Sequence, residues 1–234
     1  PQSGQWANDL LNKFELPTEL FRPVSNPGCD IGRIRPDIAS ETGLGNVRVL
    51  LPGSHDTASA VAAVPTLELP SSRPDWCYVS LGTWALVGAE LNRPLMTPEC
   101  LDHNFTNEGG VGGTTRLLKN ICGLWLVQQC RVSWQRKGNN WNWDHLTALA
   151  AESAPLQTII DTGHSSLVAP SDMPQAIREL AQQSNQTVPE STGAVVRTAL
   201  ESVAADVSRT IQDLDELVGR HITRVHIVGG WCSK

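Results

Sequence analysis

The 234-residue sequence has no apolar run approaching the roughly 18 residues that a membrane-spanning helix requires. Its opening stretch, PQSGQWANDLLNKF, lacks the charged segment leading into an apolar core that marks a secretory leader. Basic clusters are missing too: 18 Lys plus Arg are scattered among 24 Asp plus Glu, giving a formal net charge of −6. A protein that tracks a phosphate backbone needs such a cluster, so neither nucleic acid nor membrane is an expected partner. A soluble, cytoplasmic protein is expected. Its length suffices for one large domain, or for one domain with a piece of another.

Metal-ligand spacing is also lacking. The cysteines, at 29, 77, 100, 122, 130 and 232, include no C-x-x-C pair, and the histidines show no H-x-x-x-H or H-E-x-x-H spacing. Reduced, mostly buried thiols are expected rather than a disulfide framework or a zinc site. Cys122 and Cys130 are close enough in sequence to share a helix.

Strand-like and helix-like segments alternate along the chain, which suits an α/β or α+β fold. Val49, Leu50 and Leu51 predict a buried strand end, Pro52 and Gly53 break it, and Ala58 to Val64 predict a helix of small residues. Ser54, His55, Asp56 and Thr57 therefore fall on a turn at a helix N-terminus. Ser, Asp and Thr are capping residues there, and the residues alone leave capping and chemistry equally open. Residues 75–91 predict two strands joined by a tight turn at Gly82 and Thr83. LLKNICGLWLVQQCRV, 117–132, predicts a helix, and a polar Trp-rich loop follows at 133–145. The clearest helix is 194–218, with Val196, Leu200, Val203, Val207, Ile211, Leu214 and Val218 on one face. RVHIV then predicts a buried strand running into Gly229 and Gly230. Such glycine turns let backbone N–H groups approach phosphate oxygens, although each alone is more often merely conformational.

Several segments together carry a resemblance. GSHDTASAV (53–61), YVSLGTWALVG (78–88), TNEGGVGGTTRLLKNICGLWLVQQ (106–129) and VHIVGGW (225–231) resemble, in order and rough spacing, the FGGY carbohydrate kinases. The similarity is closest to members that phosphorylate L-rhamnulose, and NEGG followed by LLKNICGLWLVQ is its most specific part. It implies an actin-like, ribonuclease-H-like α/β fold, a mixed sheet with flanking helices, in which sugar and ATP meet between two domains. It further implies that the chain is a central fragment, inactive alone: 1–46 as the tail of an N-terminal kinase domain and linker, 47–234 as a C-terminal kinase domain truncated at its end.

Carried over by position, the resemblance makes Asp56 the catalytic base, with His55, Thr57 and Asn120 as sugar contacts and Thr83, Gln128 and Gly230 as ATP contacts. Mg²⁺ is implied as a companion of ATP, with no dedicated protein ligands. On a helix spanning 117–132, Asn120, Leu124 and Gln128 would share one face. Trp231 stands where the family tends to have a third glycine. Xylulose, fuculose, gluconate and glycerol remain alternative substrates, and oligomeric state is not indicated. A different alternative is a carbohydrate-binding module without catalysis, with Trp134, Trp141 and Trp143 stacking on sugar rings.

Overall fold

The computed structural model describes residues 3–53, 55–66 and 69–229. In chain order the elements are α1 (Asn8–Lys13), β1 (Asp30–Arg33), α2 (Pro36–Thr42), β2 (Arg48–Leu50), α3 (Asp56–Ala62), β3 (Trp76–Leu81), β4 (Trp84–Leu91), α4 (Pro98–Asp102), β5 (Thr106–Gly109), β6 (Thr115–Cys122), α5 (Trp125–Arg136), α6 (Trp143–Glu152), α7 (Met173–Gln183), α8 (Thr192–Val218) and β7 (Arg224–Val228). They fall into two compact units. The first comprises Pro1–Pro74 and Ala89–Leu118, the second Asp75–Gly88 and Lys119–Lys234.

In the first unit, β1 and β2 form a two-stranded antiparallel ribbon. The expected buried strand end at Val49 to Leu51 is not buried: Leu50 is exposed and its neighbours are half-buried. A two-stranded ribbon buries a residue only where another layer covers it, and none of the β1 or β2 residues is buried. Antiparallel β5 and β6 form a second pairing, with Glu108 opposite Arg116.

The hairpin accounts for the NEGG segment in structural terms. The Asn107 side chain clasps the backbone of Leu95, accepting from its N–H at 2.9 Å and donating to its carbonyl at 2.8 Å. Glu108 pairs with the fully buried guanidinium of Arg116 at 2.9 Å. Between the strands, Val111–Gly113 makes a single 3₁₀ turn whose Gly112 and Gly113 have positive φ. A left-handed backbone there favours glycine.

In the second unit, β3 is flanked by antiparallel β4 and parallel β7, with Leu81 opposite Ala85 and Tyr78 opposite His226. One antiparallel and one parallel neighbour make this sheet mixed, and β6 lies beside β4. Gly82 and Thr83 do form the tight turn between β3 and β4, as their sequence position predicts. Helices α5 to α8 enclose a core that includes Leu126, Cys130, Leu146, Ile177, Val196 and Val203. Val207 and Ile211 of α8 pack instead against Val79, Val87 and Ile121 of the sheet. Thus α8 bridges helical layer and sheet. Its apolar face matches the periodicity except at Leu200, which is exposed. Ser191 caps its start, and Gly219, at φ 62°, ends it.

Residues 117–132 are not one helix. They are divided between β6 and α5, with the break at Gly123 and Leu124. A Cβ on Gly123 would lie 2.6 Å from the carbonyl oxygen of Gly82, so the chain passes tightly against the β3–β4 turn there, and the residues before it are held as a strand by pairing with β5. Cys122 and Cys130 consequently do not share a helix. The Trp-rich segment is mostly helical as well, because α5 runs to Arg136 and α6 begins at Trp143.

Candidate active site

The first candidate group lies at the start of α3. His55, with extended backbone, is the N-cap, and its Nδ1 accepts the Thr57 N–H at 3.2 Å. Asp56 is therefore the first helical residue and not the cap. Its Oδ1 accepts the same N–H at 2.7 Å, while Oδ2 makes no hydrogen bond among the described residues. The side chain of Asp56 is 97 % exposed and that of His55 54 %, whereas Thr57 is buried. Ser54 lies outside the described residues. One oxygen of the Asp56 carboxylate is anchored and the other open. Such a group can accept a proton.

The second group is in the second unit, around a cavity of about 620 Å³. Thr83 comes from the β3–β4 turn, and Lys119 and Asn120 from the end of β6. Trp84 and Trp125 add aromatic walls, and the 161–164 loop brings Asp161 and His164 to the same cavity. The Thr162 hydroxyl donates to Asp206 of α8, fixing that loop, and Lys119 pairs with Asp213 at 3.2 Å. Burial, reinforced by the charge of Asp206, pushes the Cys122 thiol at the cavity wall up to about 11. The thiol is protonated near neutral pH, so the cavity holds no thiolate nucleophile at that position.

Thr83 and Asn120 are thus brought together. Gln128 is on α5 and does not line this cavity, and Asn120 belongs to a strand, so the single helix face expected to carry both does not exist. Gly230 and Trp231 lie outside the described residues. Lys119, Asp161 and His164 were not singled out from the sequence. Lys119 adjoins Asn120 in LLKN and was open to notice, but Asp161 and His164 belong to an irregular loop without periodic signal.

The tryptophans do not form a stacking platform. Trp134 is buried, Trp141 stacks on His145 at 4.8 Å, and the Arg131 guanidinium lies 4.8 Å from the Trp143 ring centroid. All three pack on the helical core.

Residues 77–234 match the family model described as the C-terminal domain of the FGGY family of carbohydrate kinases. The chain belongs to the FGGY family of carbohydrate kinases. It is 40 % identical over 222 residues to a rhamnulokinase of Bacteroides thetaiotaomicron, covering 95 % of this chain and 44 % of the relative. A rhamnulokinase of Oceanobacillus iheyensis is 31 % identical, with 97 % of this chain and 46 % of the relative covered. The chain therefore spans less than half the length of these curated FGGY relatives. Among solved structures it is similar in fold to a gluconate kinase from Lactobacillus acidophilus, at TM-score 0.65 and 11 % identity over 98 % of this chain and 44 % of that one. A xylulose kinase from Rhodospirillum rubrum gives TM-score 0.61 and 18 % identity over 95 % and 43 %. The mixed sheet with flanking helices, expected from the resemblance, is the fold of FGGY sugar kinases. Among the described residues, no helix is long and apolar enough to cross a membrane.

Proposed function

We propose that the full-length protein transfers the γ-phosphoryl group of ATP to a hydroxyl of a ketose, L-rhamnulose, giving L-rhamnulose 1-phosphate and ADP. The choice of sugar rests on relatives named rhamnulokinase. The observation that carries the chemistry is the arrangement at α3: His55 takes the capping position, which leaves Asp56 with an open carboxylate oxygen.

A sugar hydroxyl is a weak nucleophile, and a positioned carboxylate that takes its proton makes it competent. Oδ1 of Asp56 is held by the Thr57 N–H, so Oδ2 receives the proton. The hydroxyl oxygen forms the new P–O bond as the bond between the γ-phosphorus and its bridging oxygen breaks, and ADP departs with that electron pair. His55, Thr57 and Asn120 orient the sugar in this scheme. Thr83, Gln128 and Gly230 hold ATP. Mg²⁺ bound to the phosphates supplies charge neutralisation, and no residue of this chain is assigned to it.

Residues 47–234 form the C-terminal kinase domain in this proposal, and 1–46 the end of the preceding one. In-line transfer depends on holding both substrates across a closed cleft, so the 234-residue chain alone has no appreciable turnover. The deciding experiment is Asp56→Asn in the full-length protein. It should fold, bind both substrates and lose at least about a hundredfold in sugar phosphorylation, as removal of a general base does. A rate near that of the unmodified protein would end the assignment.

A further inference from the structure

Helix α3 has only seven residues, too few to hold itself in place. Among the secondary-structure elements, the Val111–Gly113 turn of the same unit is the one it contacts most. What holds that turn therefore bears on where α3 sits. The Thr114 hydroxyl, immediately after the turn, lies 2.7 Å from Glu90 Oε1 on β4 and 3.0 Å from the Val111 carbonyl. Its single proton faces two acceptors, one on the strand and one on the turn. Gly110 sits directly beside this contact. A Cβ there would fall 2.1 Å from Thr114 Oγ1 and 3.3 Å from Glu90 Oε1, so any side chain at 110 would break it apart. The backbone closes the same loop, with the Gly110 N–H donating to the Thr114 carbonyl at 2.9 Å. Glu108 and Arg116 secure the paired strands below the turn.

We propose that Thr114 and Glu90 are positioning residues for Asp56: their side-chain contact ties the Val111–Gly113 turn to strand β4 and so sets where α3 presents its carboxylate. This rests on Asp56 being the proton acceptor. A base must sit within hydrogen-bond reach of the hydroxyl it serves, and a displacement of about 1 Å can cost on the order of a hundredfold in rate. Neither Thr114 nor Glu90 is assigned a substrate contact in the proposed scheme, so their loss is expected in the chemical step and not in ATP binding.

The test compares Thr114→Val, Thr114→Ser and Glu90→Ala in the full-length protein, with Asp56→Asn alongside, by steady-state kinetics with ATP and L-rhamnulose and by thermal melting. Thr114→Val should lower kcat by about 10- to 100-fold with KM for ATP within about twofold, and Thr114→Ser should restore kcat to within about threefold. Glu90→Ala leaves Thr114 its Val111 acceptor and should lower kcat in the same direction, which covers the case of a Thr114→Val protein that does not fold. A folded Thr114→Val or Glu90→Ala enzyme with unchanged kcat, or Ser and Val variants equally impaired, overturns the positioning role. The base assignment fails separately: Asp56→Asn would then keep its rate, whereas an inactive Asp56→Asn beside a fully active Thr114→Val defeats only the positioning role.

Discussion

The carbonyl oxygen of Gly82 stands 2.6 Å from the position a Cβ on Gly123 would occupy, and it accepts the N–H of Leu124 at 2.9 Å. The next carbonyl, of Thr83, accepts the N–H of Trp125 at 3.0 Å. The β3–β4 turn is thereby buckled to the first residues of α5. A methyl group at 123 meets backbone rather than a flexible side-chain end, so the turn and helix must separate. Gly123→Ala should lower stability by about 1–3 kcal/mol, the usual range for overpacking, read from chemical denaturation. Because Thr83, proposed to contact ATP, moves with the turn, ATP affinity of the full-length protein should fall in parallel.

The roles proposed for Asn120 and Gln128 make a contrast between the two substrates. Asn120 is on β6 and lines the cavity, Gln128 is on α5 and does not, and the proposed scheme gives the first to the sugar and the second to ATP. In the full-length protein, Asn120→Ala should raise KM for the sugar more than that for ATP, by up to about tenfold, as loss of a hydrogen bond to a substrate hydroxyl does. Gln128→Ala should show the opposite bias. Equal effects of both on both substrates in steady-state assays would remove these assignments.

The Glu108–Arg116 pair makes an asymmetric prediction. Arg116 is 2 % exposed and Glu108 about a third exposed, so deleting the carboxylate strands a buried guanidinium whereas deleting the guanidinium leaves a carboxylate that water can reach. Glu108→Ala should cost up to about 3 kcal/mol, and Arg116→Met distinctly less. Urea titrations of the two variants decide the order.

Alkaline pH should weaken the fold through its buried thiols. Burial, with the charge of Asp215 nearby, pushes Cys77 from an ordinary value near 9 up to about 12, and Cys122 rises to about 11. Both folded-state values lie above the unfolded ones. Their stabilisation is complete below about pH 9 and is lost as pH climbs through 11 to 12, because only the unfolded chain ionises readily. Denaturation midpoints should fall across that window, and Cys77→Ala should shallow the slope. Below pH 9 the same thiols should react slowly with iodoacetamide.

Local signals in the sequence determined much of this protein. Three- and four-residue apolar steps with a serine cap specify α8, Gly82 and Thr83 between apolar runs specify the β3–β4 turn, and the shared segments place the chain in its family. They also put Asp56 at a helix N-terminus, since small residues after a Pro-Gly break fold in few other ways. Tertiary structure alone decided the rest. LLKNICGLWLVQQCRV is apolar enough for either helix or strand, and periodicity cannot separate the two over so short a run. Pairing of Leu117 and Leu118 with β5 makes the first part a strand, and the carbonyls of the β3–β4 turn take the N–H groups of Leu124 and Trp125 where the helix begins. The same holds for capping at α3, where His55 rather than Asp56 takes the cap, and for the tryptophans, which pack on the helical core. The reach of Thr114 to Glu90 across 24 residues has no local sequence signal at all. Such contacts depend on which surfaces the folded chain brings within a few ångströms, and residue type and spacing along the chain do not encode that distance.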